Sequence, residues 1–192
     1  MTDPNPAALD FLLTRRSRPG KTLALPVPDD ATLDTLLTAA ARTPDHGKLE
    51  PWRFVVLERA ALERLAGLAR TRGEALGLAP EKIEKAGQMY DQAHLSVAVI
   101  ASPKPSEKIP EIEQTLSAGA ACLALLNAAL AAGWGANWLT GWTATDRGFL
   151  SEGLDLKDHE FVAGFIQLGS ETSVPPERPR PDLAAITTRM RA

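Results

Sequence analysis

The stretch from Ile112 to Gly133 constrains the fold of this chain more than any other. It is the longest helical signal. Its Ala118-Gly119-Ala120-Ala121 segment is small and apolar nearly all round. A helix with no polar side of its own belongs at the centre of a fold, with other elements packed around it. Gly133 and Gly135 end it. Leu95 to Ala101 reads Leu-Ser-Val-Ala-Val-Ile-Ala, an almost continuous apolar run of strand length, and predicts a buried strand. Trp52 to Leu57 alternates and is rich in β-branched and aromatic residues, a second strand, and Phe161 to Leu168 is a third.

Helices are predicted between these strands. Asp10 to Thr14 is the first, with Ala7-Ala8-Leu9 and Phe11-Leu12-Leu13 supplying its apolar face and Pro19-Gly20 stopping the chain. Thr32 to Arg42 carries Leu33, Leu36, Leu37 and Ala40 at helical spacing, capped by Asp29 or Asp30. Ala60 to Gly73 and Arg147 to Gly153 follow the same pattern. Pro80 to Gln92 is a helix whose many charges predict a solvent-facing position. Thr43 to Pro51 reads as a loop, and Asn137 to Trp142 as a loop or short extended piece. Together these make an α+β fold of one domain over residues 1–192. The strands are too few and too spread out for a full doubly wound sheet.

Composition removes several function classes. The net charge is -3, without the basic excess of a nucleic-acid surface. Met1 to Asp10 lacks the basic start and apolar run of a signal peptide, and no stretch reaches ~18 uninterrupted apolar residues, so no membrane partner is expected. A single cysteine, Cys122, excludes an internal disulfide and a cysteine-based zinc cluster. A cytoplasmic location is expected. His46, His94 and His159 lie far apart, which supports no metal site. No Walker-type loop, G-x-G-x-x-G, H-E-x-x-H or G-x-S-x-G occurs. The chemistry is therefore expected to come from something bound.

Four segments could bind it. Arg15-Arg16-Ser17-Arg18 ends a helix, where cations also suit the dipole. Its functional reading is a phosphate clamp, since guanidinium forks match phosphate oxygens. Pro44-Asp45-His46-Gly47-Lys48-Leu49-Glu50-Pro51-Trp52 concentrates polar groups on a proline-stiffened loop. Gly133 to Trp142 holds three of the four tryptophans and three glycines, which is either a helix stop with core packing or an apolar pocket for a planar ring. The segment Pro175-Pro176-Glu177-Arg178-Pro179-Arg180-Pro181 is either a rigid linker or the source of a further arginine for an anion.

Taken in chain order, these segments resemble the nitroreductase family, and within it the minimal bacterial branch. The resemblance also draws on Ser117-Ala118-Gly119 at the start of the long helix, Gly135-x-Asn137-Trp138-x-Thr140-Gly141, and Gly164-Phe165-Ile166-x-Leu168-Gly169. It implies a nitroreductase-like fold with a central, mostly antiparallel sheet flanked by helices, in an intertwined homodimer with a non-covalent FMN at each interface. Arg15, Arg16 and Ser17 match the phosphate- and ribityl-binding segment. Arg42 and His46 match positions that reach the flavin from the partner subunit. Trp138, Leu139 and Thr140 match the segment lining the isoalloxazine ring, and Arg178 or Arg180 a further phosphate contact. Ala128 to Gly133 matches a region associated with the nicotinamide donor.

The implied activity is ping-pong hydride transfer from NADH or NADPH, through flavin N5, to an electron-poor small-molecule acceptor, nitroaromatic or quinone. Arg18 or Lys48 would supply a cation to the reduced ring. The chain departs from the common Ser-x-x-Asn-x-Gln-Pro-Trp loop, having His46-Gly47-Lys48-Leu49-Glu50-Pro51-Trp52 instead. A flavin store or sensor on the same fold is the alternative, as are specialised members such as a dehalogenase, a flavin-destroying enzyme or an azoline oxidase.

Overall fold

A computed structural model describes residues 3–191. Helix α1 spans Pro6–Thr14 and starts four residues earlier than expected. Asn5 Oδ1 accepts the Ala8 amide at 3.1 Å, and Pro6 occupies the first turn, where its missing N–H costs nothing. A short strand β1, Leu23–Ala24, leads to α2, Asp30–Ala40. Asp29 is the cap of α2, accepting from the Thr32 amide at 2.9 Å. The chain continues as β2 Trp52–Glu58, α3 Arg59–Ala75, α4 Pro80–Asp91 and β3 Leu95–Ala101. It ends as α5 Glu111–Ala131, β4 Gly135–Leu139, α6 Arg147–Leu154, β5 Phe161–Glu171 and α7 Leu183–Ile186.

The sheet has five strands, two more than the sequence predicts. Its order is β1-β5-β3-β2, with β4 also paired to β5, and every pairing is antiparallel. Strand β4 reads Gly-Ala-Asn-Trp-Leu and carries little intrinsic strand preference. Its ladder with β5, Gly135 opposite Gly169 through Leu139 opposite Phe165, imposes the extended form. Strand β1 is only two residues long, too short for any periodicity to register.

Alternation along the strands divides the core in two. Ala98 and Ile100 of β3 join Val162 and Phe165 of β5 against Leu62, Leu65 and Phe149. Val97 and Val99, with Ile166 and Leu168, face Leu36, Ala121, Cys122 and Leu125. The sheet is thus covered by α3, α4 and α6 on one side and by α2 and α5 on the other. Tyr90 anchors α4 in the first layer, stacked on Phe149 and donating to Thr143 Oγ1 at 2.9 Å. That helix is therefore amphipathic rather than purely solvent-facing.

Helix α5 is long and apolar enough to cross a bilayer by length and composition, with a mean hydropathy of 1.4, but it packs on the sheet and on α2. It is not buried all round, as its composition suggests. Ala118, Ala121, Cys122, Leu125, Leu126 and Ala129 are buried, whereas Ile112, Leu116 and Leu123 are 61%, 65% and 43% exposed. Small residues let the buried side approach the sheet closely, and the larger aliphatics are left on the far side. Ser117 lies in the second turn of this helix, not at its start.

At Gly164 the sheet packs tightly against Cys122 of α5 and the Trp138 indole. A Cβ there would collide with the Trp138 indole and press on Cys122 Sγ. Gly164→Ala should therefore destabilise the protein by about 1–3 kcal/mol through overpacking. A melting temperature equal to that of the wild type would contradict this packing.

Candidate functional site

The Arg15–Arg18 segment leaves α1 and is fixed to the sheet by its backbone, since the Arg18 amide donates to Ala136 O of β4 at 2.8 Å. This bond ties the arginine turn to the start of β4. Arg18 spends its own side chain locally, donating from Nε to Glu171 Oε2 at 2.5 Å and from Nη1 to Arg16 O at 2.9 Å. Arg15 Nη2 donates to Ser17 Oγ at 3.1 Å. The chain returns after β5 so that Arg178 and Arg180 complete a small cavity of about 190 Å³ with Arg15, Arg16 and Ser17.

The charge in this cavity is incompletely balanced. Glu177 is the nearby carboxylate, 2.8 Å from Arg180 Nη2 and 3.7 Å from Arg16 Nη1. Burial, followed by the like charges of Arg180, Arg16 and Arg18, pushes the Arg15 guanidinium below its ordinary range. Among the described residues, Arg15 Nε and Arg16 Nη1 are buried without a hydrogen-bond partner. Donors left in this state, on side chains that repel one another, fit a dianionic oxygen group such as a phosphate monoester.

Beyond Asn137, alternation in β4 separates the ring-lining candidates. Trp138 turns to the α5 side over Gly164, its Nε1 donating to Ala163 O at 3.3 Å. Leu139 and Thr140 instead line a second cavity of about 400 Å³, bounded by Gly20 and Lys21, by α4 and by Gly141 to Thr143. Gln167 braces it, donating from Nε2 to Met89 O at 2.6 Å. The cavity has an apolar floor beside polar groups, the character of a site for a planar ligand.

Arg42 and His46 lie away from both cavities. Arg42 follows α2 and is exposed. His46 Nδ1 is 2.8 Å from Glu113 Oε2, at the start of α5. Their loop is tightly held. Asp45 Oδ1 accepts the Leu49 amide at 2.7 Å, and Ser117 Oγ donates to Pro44 O at 2.8 Å while accepting from Trp52 Nε1 at 3.0 Å. Gly47, Lys48 and Glu50 all have left-handed backbones, with φ of 72°, 56° and 49°. For Lys48 and Glu50 this stores strain of about 1–3 kcal/mol each, which persists where a loop's shape serves binding. Neither Arg18 nor Lys48 borders the cavity shared by Leu139 and Thr140. The cations that do are Lys21, Lys82 and Lys85. The sequence carries a signal for the two on α4, where Lys82, Lys85 and Met89 recur at i, i+3 and i+7.

Two other features lack such a constellation. A larger cavity of about 790 Å³ lies between the 103–111 segment and Arg147–Phe161 and contains none of the predicted residues. Burial pushes the Cys122 thiol up to about 12, so it stays protonated and is no nucleophile.

The nitroreductase family profile matches residues 13–170, most of the chain. The chain belongs to the nitroreductase family. "Putative NAD(P)H nitroreductase YdjA" of Escherichia coli K12 is 34% identical over 163 residues, covering 85% of this chain and 87% of that protein. A Haemophilus influenzae protein described as "Putative NAD(P)H nitroreductase" is also 34% identical, over 164 residues, covering 85% and 88%. The fold is shared with a nitroreductase-like protein of Bacillus cereus, at a TM-score of 0.80 and 19% identity, covering 99% and 98%. It is shared also with a Desulfovibrio desulfuricans structure, "a putative nitroreductase in complex with fmn", at a TM-score of 0.74 and 22% identity, covering 98% of each. The central antiparallel sheet expected of a nitroreductase-like fold is thereby found, in an α+β arrangement.

Proposed function

We propose that this chain is an FMN-dependent oxidoreductase that takes electrons from NADH or NADPH and passes them to an electron-poor acceptor, a nitroaromatic or quinone. The observation that carries the reading is that the segment whose Arg15, Arg16 and Ser17 line the arginine cavity runs on, through Arg18 bonded to Ala136 of β4, to Gly20 at the border of the cavity lined by Leu139 and Thr140. Such a pairing fits a ligand with a phosphate at one end and a flat ring at the other. Family membership, and relatives named as NAD(P)H nitroreductases, support the same reading. Arg15, Arg16, Ser17 and either Arg178 or Arg180 would hold the phosphate, and the Trp138–Thr140 segment would flank the ring. Bound FMN supplies two-electron redox chemistry, and the chain supplies binding, orientation and electrostatics. The half-reactions alternate at one site, in the cytoplasm.

Arg42 and His46 line neither the arginine cavity nor the cavity of Leu139 and Thr140, which fits their serving the site of a second copy. The exposed aliphatics of α1 and α5 suit that contact: Leu9, Leu12 and Leu13 are 59%, 58% and 70% exposed, and α5 exposes Ile112, Leu116 and Leu123. The homodimer tests this directly. Leu116→Glu/Leu123→Glu should shift the sedimentation mass from two chains to one and lower flavin occupancy with it. A wild-type mass equal to one chain, with flavin bound, rules out the shared site. The cofactor has its own test. The purified protein should show a flavin absorption spectrum, and NAD(P)H oxidation should depend on an added acceptor. A protein that stays colourless after incubation with FMN refutes the reading, and a yellow protein that oxidises no NAD(P)H would be a flavin store.

A further inference from the structure

We propose that the cavity beside Leu139 and Thr140 selects acceptors that carry a negative charge on a planar ring, recognised by Lys21, Lys82 and Lys85. The inference rests on the flavin reading for the position of the reacting ring, but its charge argument stands on the chain alone. The cavity, about 400 Å³, is bordered by three lysines and by no aspartate or glutamate. In a protein of net charge -3, this is a marked local reversal of sign. Among the described residues, none of the three lysines forms an ion pair, whereas most arginines of the first ninety residues do.

Helix α4 explains how the reversal arises. Two of its three acids are turned away and neutralised, Arg70 of α3 holding Glu84 at 3.0 Å and Asp91 at 2.7 Å, while the third, Glu81, is exposed in the first turn and does not line the cavity. Lys82 and Lys85 stand on the cavity side with Ala86 and Met89, so the helix sorts its charges by face. Lys21, from the turn before β1, closes the rim opposite them. Beneath lies an apolar floor that includes Met89, Leu139 and Trp142. The Trp142 indole N–H is buried without a partner among the described residues. A flat ring satisfies this floor, and a carboxylate, sulfonate or phosphate on that ring satisfies the lysines. A phosphate of the dinucleotide donor presents the same chemistry, so the test separates the two sources.

The test compares 4-nitrobenzoate with neutral 4-nitrobenzamide as acceptors for the FMN-loaded protein. The wild type should favour the anion in kcat/KM, and this preference should shrink as salt rises from low to physiological strength, because exposed charges are screened over ~10 Å. In Lys82→Gln/Lys85→Gln the ratio of anion to amide should fall about tenfold, through KM for the anion, as two unpaired cations are lost. Lys82→Glu/Lys85→Glu should invert the preference. A second readout needs no turnover: calorimetric titration of the protein with terephthalate, which a flavin cannot reduce, should show binding that weakens in the same variants.

An unchanged ratio, or an equal fall for both acceptors, overturns the proposal. So does a shift confined to KM for NADPH relative to NADH, which would assign the lysines to the donor phosphate. Reduced FMN occupancy in the variants overturns it as well, by assigning the lysines to the cofactor. If the protein takes up no FMN but still binds terephthalate in a lysine-dependent way, the flavin reading fails and the anion site stands.

Discussion

Replacing Arg15 and Arg16 together with alanine is expected to weaken FMN binding by roughly two to four orders of magnitude. Each guanidinium offers charge-assisted hydrogen bonds worth ~1.5–3 kcal/mol to an anion, and a decade of affinity is about 1.4 kcal/mol. The same substitution relieves the crowding of Arg15, Arg16, Arg18 and Arg180. The folded protein should therefore melt no lower without ligand, and the loss should appear only in the affinity. Fluorescence titration of the apoprotein with FMN measures it, and the melting temperature with and without FMN supplies a control. Affinity reduced less than threefold would remove the clamp from the account.

The second large effect concerns stability and lies far from this site. Glu160 is only 3% exposed, and it receives two hydrogen bonds from Arg53, Nε to Oε1 at 2.8 Å and Nη2 to Oε2 at 2.9 Å. The Lys157 amide adds a third, at 3.0 Å to Oε2. These contacts, the Arg53 hydrogen bond foremost, hold the Glu160 carboxyl at about 2. An unfolded glutamate titrates near ~4.3. The folded value lies below the unfolded one, so the stabilisation is complete above the unfolded value and is lost as pH falls through the folded value. Glu160→Gln should cost about 3 kcal/mol at neutral pH, the lower end for a broken buried pair, because Arg53 keeps partial access to water. For a chain of this size that is a fall of ~6–12 °C in melting temperature. The gap between the two proteins should narrow between pH 4 and pH 2. A gap that is constant over that range would remove the charge from the explanation and leave only packing.

Elements whose own pattern matches their burial were legible in the sequence. Strand β3 is buried throughout and apolar but for Ser96 because helices cover both faces, and α2 shows its core face in Leu33, Leu36 and Ala40. Strand β4 was not legible as a strand, because its ladder to β5 is a long-range contact with no local trace. The arginine turn was visible as a cluster, but its meeting with Arg178 and Arg180 depends on more than 150 residues of intervening fold. On α4, a high charge content hid the ordering of those charges. The face toward α3 pairs its acids with Arg70, and the other face keeps its lysines, which a count of charged residues cannot separate. Lys48 and Arg18 were attractive as cations in a linear reading, yet one sits in a strained loop and the other is consumed by Glu171.

Glu177 rests among the arginines and is held below the usual carboxylate range by the Arg178 amide and the neighbouring guanidinium groups. The apoprotein thus carries its own counter-ion on a tethered segment. Loading a dianion there would be an exchange, in which it competes with Glu177 for Arg16 and Arg180. The empty protein is spared the full repulsion of its arginines, and the bound ligand must compete with a carboxylate that never diffuses away.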